Sequence, residues 1–351
     1  MNRQTVSRVV VHAGMHKTGT SSIQDTFKKA DLGHIHYLDW RAANHSGMFA
    51  LLFREPVEEY HAFKGNGVSR DQLLVERAEW RQRLLDQLQS GEFDSVMISA
   101  EDISSSDTEA VERFAETIAP YCSDVQVIAY VRAPAGFMQS AFQQRVKGGG
   151  LNRLGPASLW PNYRSRFEKL DQVFGRENVK LKKFAPDRLV DGDVVRDLAS
   201  ELGIEIKDAD IVRSNESISL EALALLFAQR RLGEGFVSGF SGAQRSNARF
   251  VAAISTLGSG RLRFSPKLVD PVIARNRADL DWMEQRLGES LDDGRDADDP
   301  LAVSSEDDLL RIAEENREKL DKLLIGIIRS KGQDPQAGLV RNLELLRKLH
   351  Y

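Results

Sequence analysis

Short β-branched apolar runs alternate with longer amphipathic stretches through the first half of the chain. RVVVHA (Arg8–Ala13), SVMISA (Ser95–Ala100) and VQVIAYV (Val125–Val131) read as strands of the apolar kind buried in parallel sheets, and VKLKKF (Val179–Phe184) reads as a fourth strand. Between and after them, apolar residues recur at helical spacing over Ser22–Ala30, Leu73–Leu88, Thr108–Ile118, Phe137–Val146, Asn162–Phe174 and Asp193–Leu202. This alternation predicts an α/β fold, with an open, mostly parallel sheet flanked by helices. Beyond about Ile211 strands become scarce, and Ser219–Leu232, Lys267–Leu287 and Glu306–Arg329 are predicted helices. The expected organisation is an α/β core over residues 1–210 and a helical C-terminal part over 211–351 packed on it, with an acidic linker at 288–308.

Composition narrows the class. The 351 residues leave room for a large core, and one cysteine, Cys122, excludes a disulfide scaffold and fits a reducing compartment. No apolar run reaches the roughly 18 residues of a membrane span, and Met1–Arg8 lacks a secretory apolar region, so a cytoplasmic location is expected. A net charge of −4 argues against a nucleic-acid binder. That charge is unevenly spread: Glu289–Asp308 carries −8, leaving +4 for the rest. A body of this sign suits an anionic ligand, and the acidic stretch suits a solvated segment.

The loop after the first strand concentrates anion-binding chemistry. HAGMHKTGTSSIQ starts at His12, and its Gly14 and Gly19 have the spacing of a phosphate-binding G-x-x-x-x-G loop. Thr20 stands where that motif has Lys, and the cation is instead Lys17. Glycines let backbone N–H groups turn inward, and the following helix offers its positive N-terminus to the same point. Thr18, Thr20, Ser21 and Ser22 add hydroxyl donors. Such a loop suits a diphosphate or a phosphosulfate. The third strand ends in Arg132 at the carboxyl edge of a parallel sheet, where ligands of such folds bind. Pro134 interrupts the chain before the helix, and Ser140, about two turns in, can face the same side. A guanidinium with paired donors and a hydroxyl make a phosphate site.

K-T-G-T-S-S after a strand resembles the 5′-phosphosulfate loop of sulfotransferases that use 3′-phosphoadenosine 5′-phosphosulfate (PAPS). Their loop reads P-K-x-G-T-T, so this chain departs from it at His16 and Ser21. In the same family a strand-end Arg and a Ser eight residues later bind the donor's 3′-phosphate, the spacing of Arg132 and Ser140. The order of elements is similar from about Arg8 to Ile206, and the later helices resemble extensions of bacterial sulfotransferase-like proteins. The resemblance implies a P-loop-type fold, PAPS as donor, its desulfated product PAP, and no required metal. It also implies adenine stacking at Phe184, which otherwise reads as a core residue. A late Gly/Arg-containing loop closing the site would be Gly233–Arg249, with Arg245 as a second 3′-phosphate ligand.

On this reading the chain moves a sulfuryl group to an acceptor hydroxyl, with Lys17 stabilising the leaving phosphate oxygen. SAEDIS places Glu101 and Asp102 at the ligand edge, and Glu101 is the expected base, as carbohydrate and tyrosine sulfotransferases use a Glu. Either carboxylate could instead cap the next helix, and His45 or His61 are alternative bases. Six of the seven histidines fall between His12 and His61, without metal-ligand spacing. The stretch His34–Trp80, with His36, Tyr37, Trp40, Arg41, Asn44, His45 and Tyr60, suits acceptor recognition and leans towards a sugar. Two other readings stay open: a kinase-like phosphotransferase using ATP and Mg²⁺ held by Asp102, and a non-catalytic nucleotide-binding scaffold.

Overall fold

The computed structural model describes residues 6–213, 217–233, 241–292, 299 and 302–330. The first half runs β1 (Val6–His12), α1 (Thr20–Phe27), β2 (Ile35–Tyr37), α2 (Ser46–Phe53), α3 (His61–Gly65), α4 (Arg70–Leu88), β3 (Ser95–Ser99), α5 (Asp102–Ser105) and α6 (Thr108–Ile118). It continues through β4 (Cys122–Val131), α7 (Pro134–Lys147), α8 (Tyr163–Phe174), β5 (Val179–Lys183) and α9 (Val194–Glu201). The helices α10 (Leu220–Leu232), α11 (Ser241–Ile254), α12 (Pro266–Arg275), α13 (Arg277–Leu287), α14 (Glu306–Glu315) and α15 (Arg317–Ser330) follow.

The strands form one parallel sheet in the order β2-β3-β1-β4-β5, flanked by helices as the alternation predicts. Side chains of a strand point alternately to its two faces. Val10, Met97, Ile128 and Tyr130 therefore meet Ile23 and Phe27 of α1 and Val195 and Leu198 of α9 on one side. Val9, Val11, Val96, Ile98, Val127 and Ala129 belong to the larger apolar cluster on the other side. That cluster includes Phe49 of α2, Phe114 of α6, Phe167 of α8 and Phe142 of α7, and continues to Phe227 of α10 and Leu309 of α14.

The C-terminal helices also steady the sheet edge. Asp279 of α13 accepts from the Tyr163 and Arg164 backbone N–H groups at 2.9 and 2.8 Å and from Trp160 Nε1 at 2.7 Å, capping the start of α8. Tyr163 Oη then donates to the carbonyl oxygen of Arg132 at 2.7 Å. Within the acidic stretch Glu289 pairs with Arg188 at 3.0 Å and Asp299 with Arg263 at 3.0 Å. Ser305 caps α14 in a reciprocal box with Asp308.

The structure adds elements that periodicity does not reveal. β2 is a short edge strand, and α2 (SGMFALLF) is buried all round, which erases the amphipathic signal. Lys267–Leu287 and Glu306–Arg329 each form two helices rather than one, divided at Asn276 and Asn316. At both breaks the Asn side-chain amide donates to the carbonyl four residues earlier, at 2.8 Å, an alternative that competes with continuing the helix. No helix among the described residues is long and apolar enough to cross a membrane.

Candidate active site

Because the strands are parallel and adjacent, whatever follows each of them lies along one edge. The backbone continues the ladder just past the strand ends: Ala13 N–H donates to Ile128 O at 3.0 Å, Ala100 N–H to His12 O at 3.0 Å, and Phe184 N–H to Val131 O at 2.8 Å. The loop after β1, the Glu101 corner after β3, Arg132 after β4 and Phe184 after β5 are thereby brought side by side. The strand order also reverses beside β1: the chain goes from β1 out to β2, back to β3, and then across β1 to β4 on its other side.

Steric demands shape the loop. A Cβ on Gly14 would lie 2.7 Å from Thr20 Cγ2 and 2.8 Å from His12 Nε2, so this position must be glycine for space. Left-handed backbone occurs instead at Lys17 (φ 70°) and Gly19 (φ 75°). Holding a lysine there costs about 1–2 kcal/mol. Thr18 turns its hydroxyl onto Met15 O at 2.6 Å and is buried, so it shapes the loop from within. Thr20 begins α1 and donates its hydroxyl to Glu101 Oε1.

Arg132 reaches across to this loop. Its Nη1 donates to the Lys17 carbonyl oxygen at 2.7 Å and to Ser140 Oγ at 2.8 Å, and its Cζ lies 5.7 Å from the centre of the Phe184 ring. Lys17, Arg132, Ser140 and Phe184 thus sit together, with the cations flanking the start of α1. Burial lowers the Lys17 pKa, and the Lys147 charge lowers it further, against a raising effect of Glu101.

The corner after β3 holds two carboxylates in different settings. Asp102 is buried, accepts from Tyr60 Oη at 2.7 Å and from Ser105 Oγ at 3.2 Å, and its backbone N–H bonds Ser46 Oγ at 3.3 Å. Glu101 faces the open space, and its carboxyl is pushed up to about 7, first by burial and then by the Asp102 charge, with Lys17 and Arg166 opposing. His16 Nε2 lies 3.6 Å from Glu101 Oε2 and 3.5 Å from Asp102 Oδ1.

These groups surround a cavity of about 810 Å³ lined by His16, Lys17, Gly19, Thr20, Ser21, Glu101, Arg132, Ser140 and Phe184. It is lined further by Gln143, Gln144 and Lys147 of α7, by Asn247 and Val251 of α11, and by Ser255 just past the end of α11. Asn247 Nδ2 donates to Lys147 O at 2.9 Å and fastens the two helices. Gly14, Thr18 and Ser22 do not line the cavity. Arg245 falls in the first turns of α11, where side chains lie outside the described residues; so does much of the expected closing loop, residues 234–240.

The expected acceptor stretch is arranged differently. None of His36, Tyr37, Trp40, Arg41, Asn44, His45 and Tyr60 lines the cavity. His36 bonds Gln87 Oε1 at 3.0 Å, Tyr37 bonds Ala43 O at 2.6 Å, and Arg41 lies over Trp40 and Trp80 while pairing with Glu76. His45 is buried, accepts the Ser99 N–H on Nδ1 at 3.0 Å, and is pushed down to about 3 by burial. His61 is exposed and packs beside Tyr60, with ring centres 4.3 Å apart. Sequence reasoning did not single out His16, Lys147 or Asn247. For His16 the available signal was its place next to Lys17; the other two join the site only through the packing of α7 and α11.

No protein-family model and no curated protein sequence matches the chain. Among solved structures, a sulfotransferase from Alicyclobacillus acidocaldarius is similar over 80% of this chain and 96% of its own, with 16% identity and a TM-score of 0.42. The sulfotransferase domain from the curacin biosynthetic pathway is similar over 62% of this chain and 80% of its own, with 10% identity and a TM-score of 0.32. Likeness at this level carries no chemistry to this chain, whose site stands on its own residues.

Proposed function

We propose that the chain is a PAPS-dependent sulfotransferase acting on an acceptor hydroxyl, with Lys17 and Glu101 as its catalytic residues. The observation that carries this reading is one cavity bordered by a cation-bearing loop at a helix N-terminus, a strand-end Arg–Ser pair and a carboxyl poised near neutrality. The donor fits the chemistry of these groups. A volume of about 810 Å³ lies within the range of roughly 300–1,000 Å³ usual for small-molecule sites. Lys17, Gly19, Thr20 and Ser21 would hold the 5′-phosphosulfate, Arg132 and Ser140 the 3′-phosphate, and Phe184 the adenine face.

PAPS supplies an activated sulfuryl group. Glu101 would take the acceptor's proton as its oxygen bonds to sulfur and the S–O bond to the donor phosphate breaks. Lys17 would balance the charge left on that phosphate oxygen. With Oε1 engaged by Thr20, Oε2 is the oxygen left for the acceptor. Gln143, Gln144 and Ser255 offer hydrogen-bonding partners suited to a hydroxyl-rich acceptor, which supports a sugar over a plain hydrocarbon alcohol. The deciding experiment is thermal denaturation with PAP and with ATP–Mg²⁺. PAP is expected to raise the melting temperature the more strongly, and the reverse ranking rejects the assignment. Transfer from labelled PAPS onto glycans, phenols, lipids and peptides then identifies the acceptor.

A further inference from the structure

Glu101 is poorly placed to discharge a proton by itself. Its side chain is only 14% exposed, and Thr20 occupies one of its two oxygens. The other oxygen, Oε2, lies 3.6 Å from His16 Nε2, whose side chain is 31% exposed and is the most open group of the cluster. The same nitrogen is also 3.5 Å from Asp102 Oδ1, and Asp102 is itself held by Tyr60. An imidazole whose one nitrogen faces two carboxylates, with its side chain 31% exposed, is suited to moving a proton rather than to filling space. These separations are ion-pair distances, and such contacts tighten when substrate is bound.

The geometry points to His16 as the second proton carrier of the site: it shares one proton with Glu101 and passes it to solvent, while Asp102 supports the imidazolium. This role rests on the sulfotransferase reading for its part in turnover. The acceptor's proton goes to Glu101 Oε2 as the new S–O bond forms, then to His16 Nε2. The imidazolium then returns to its neutral form by giving one ring proton to water. His16 acts through Glu101 and is a positioning and relay residue, not one that touches the reacting atoms. The charged and titratable groups around it are Lys17 in its own loop, Glu101 and Asp102 after β3, His61 on α3 and Arg166 on α8. Burial, Arg166, Lys17 and His61 favour the neutral ring, and Asp102 favours the charged one. Burial and the three cationic neighbours outweigh Asp102, so the ring sits below its ordinary value and gives its proton up readily to water.

The test is an NMR titration of protein labelled at the histidine Cε1, with the His16 signal identified by its loss in His16→Gln. In the parent chain the His16 curve should show two inflections, because strongly interacting sites titrate as a pair. In Glu101→Gln, which keeps an oxygen to accept from Thr20, the curve should collapse to one inflection with a midpoint lower by about one pH unit. Reciprocally, the Glu101 carboxyl-carbon signal should lose its second inflection in His16→Gln, a readout that does not depend on how Glu101→Gln folds. A His16 curve identical in the parent and Glu101→Gln, or a Glu101 curve indifferent to His16→Gln, overturns the shared proton. The titration needs neither donor nor acceptor. Failure of the shared proton therefore leaves PAP binding standing, and failure of PAP binding leaves the titration standing.

Discussion

Arg132 donates to the backbone carbonyl of Lys17 at 2.7 Å, joining the end of β4 to the loop after β1. The same nitrogen reaches Ser140 Oγ at 2.8 Å. One guanidinium therefore braces the left-handed turn that presents Lys17 and also borders the place assigned to the 3′-phosphate. The loop after β1 and the Arg132–Ser140 pair, far apart in the chain, are thus joined through one side chain.

Arg132→Ala should consequently do more than delete one ligand contact. Hydrogen bonds to charged groups contribute about 1.5–3 kcal/mol, so PAP affinity should fall by roughly 10- to 150-fold. Adenosine 5′-phosphate, lacking the 3′-phosphate, should lose less, though not nothing, because the Lys17 turn is loosened as well. Ser140→Ala leaves the Arg132–Lys17 bond in place and should weaken PAP alone. Calorimetry with the two nucleotides checks both, and equal losses for them in Ser140→Ala contradict the assignment.

Gly19 is fixed by conformation and by space together. Its φ is 75°, and a Cβ there would lie 2.6 Å from Val194 Cγ1 on α9. Gly19→Ala should destabilise the fold by about 2–4 kcal/mol, read by urea denaturation. Adding Val194→Ala should recover the steric share and leave the conformational one. Full recovery in the double variant shows that the backbone conformation contributes nothing.

Lys17 presents the opposite balance. A left-handed lysine is retained at a conformational cost of about 1–2 kcal/mol, the signature of a residue kept for its side chain. Lys17→Gly should raise or leave unchanged the resistance to urea while abolishing sulfuryl transfer. Lys17→Ala should lose transfer equally without that gain. A Lys17→Gly variant clearly less stable than Lys17→Ala removes the strain argument.

The contrast between these residues explains what was legible in the sequence. Lys17, Glu101 and Arg132 each follow an apolar strand run and Phe184 ends another strand, and parallel pairing carries such positions to a common edge whatever lies between them. His16 shares that position beside Lys17, but its role comes from carboxylates at another strand's end, which its own neighbours in sequence do not show. The α2 run is apolar on every side and leaves no period to read. The aromatic residues from His36 to Tyr60 suggested a recognition surface by type alone, yet Trp40 and Tyr60 are buried and support the core. Residue type indicates what a side chain can do, and only packing decides which way it faces. The breaks at Asn276 and Asn316 depend on single side-chain hydrogen bonds that a helical pattern averages away.

Glu101 ties activity and stability to the same proton. Its folded-state pKa is raised from the ordinary 4.5 to about 7, chiefly by burial and then by Asp102. The folded chain thus binds this proton more tightly than the unfolded chain does. The stability it contributes is fully present below about pH 4.5 and is lost as pH rises through about 7. With Glu101 as the proposed base, transfer needs the ionised carboxylate, so kcat should climb through the same window while stability from this group declines. Glu101→Gln should keep PAP affinity, lower kcat by about 10²–10⁴-fold, and gain stability relative to the parent as pH is raised from about 5 to 8. The checks are urea denaturation of both proteins across that range and a kcat–pH profile of the parent. Parallel stability curves for parent and variant show that the carboxyl titrates alike in the folded and unfolded chains. Glu101 would then lack the raised pKa that suits it to serve as base near neutral pH.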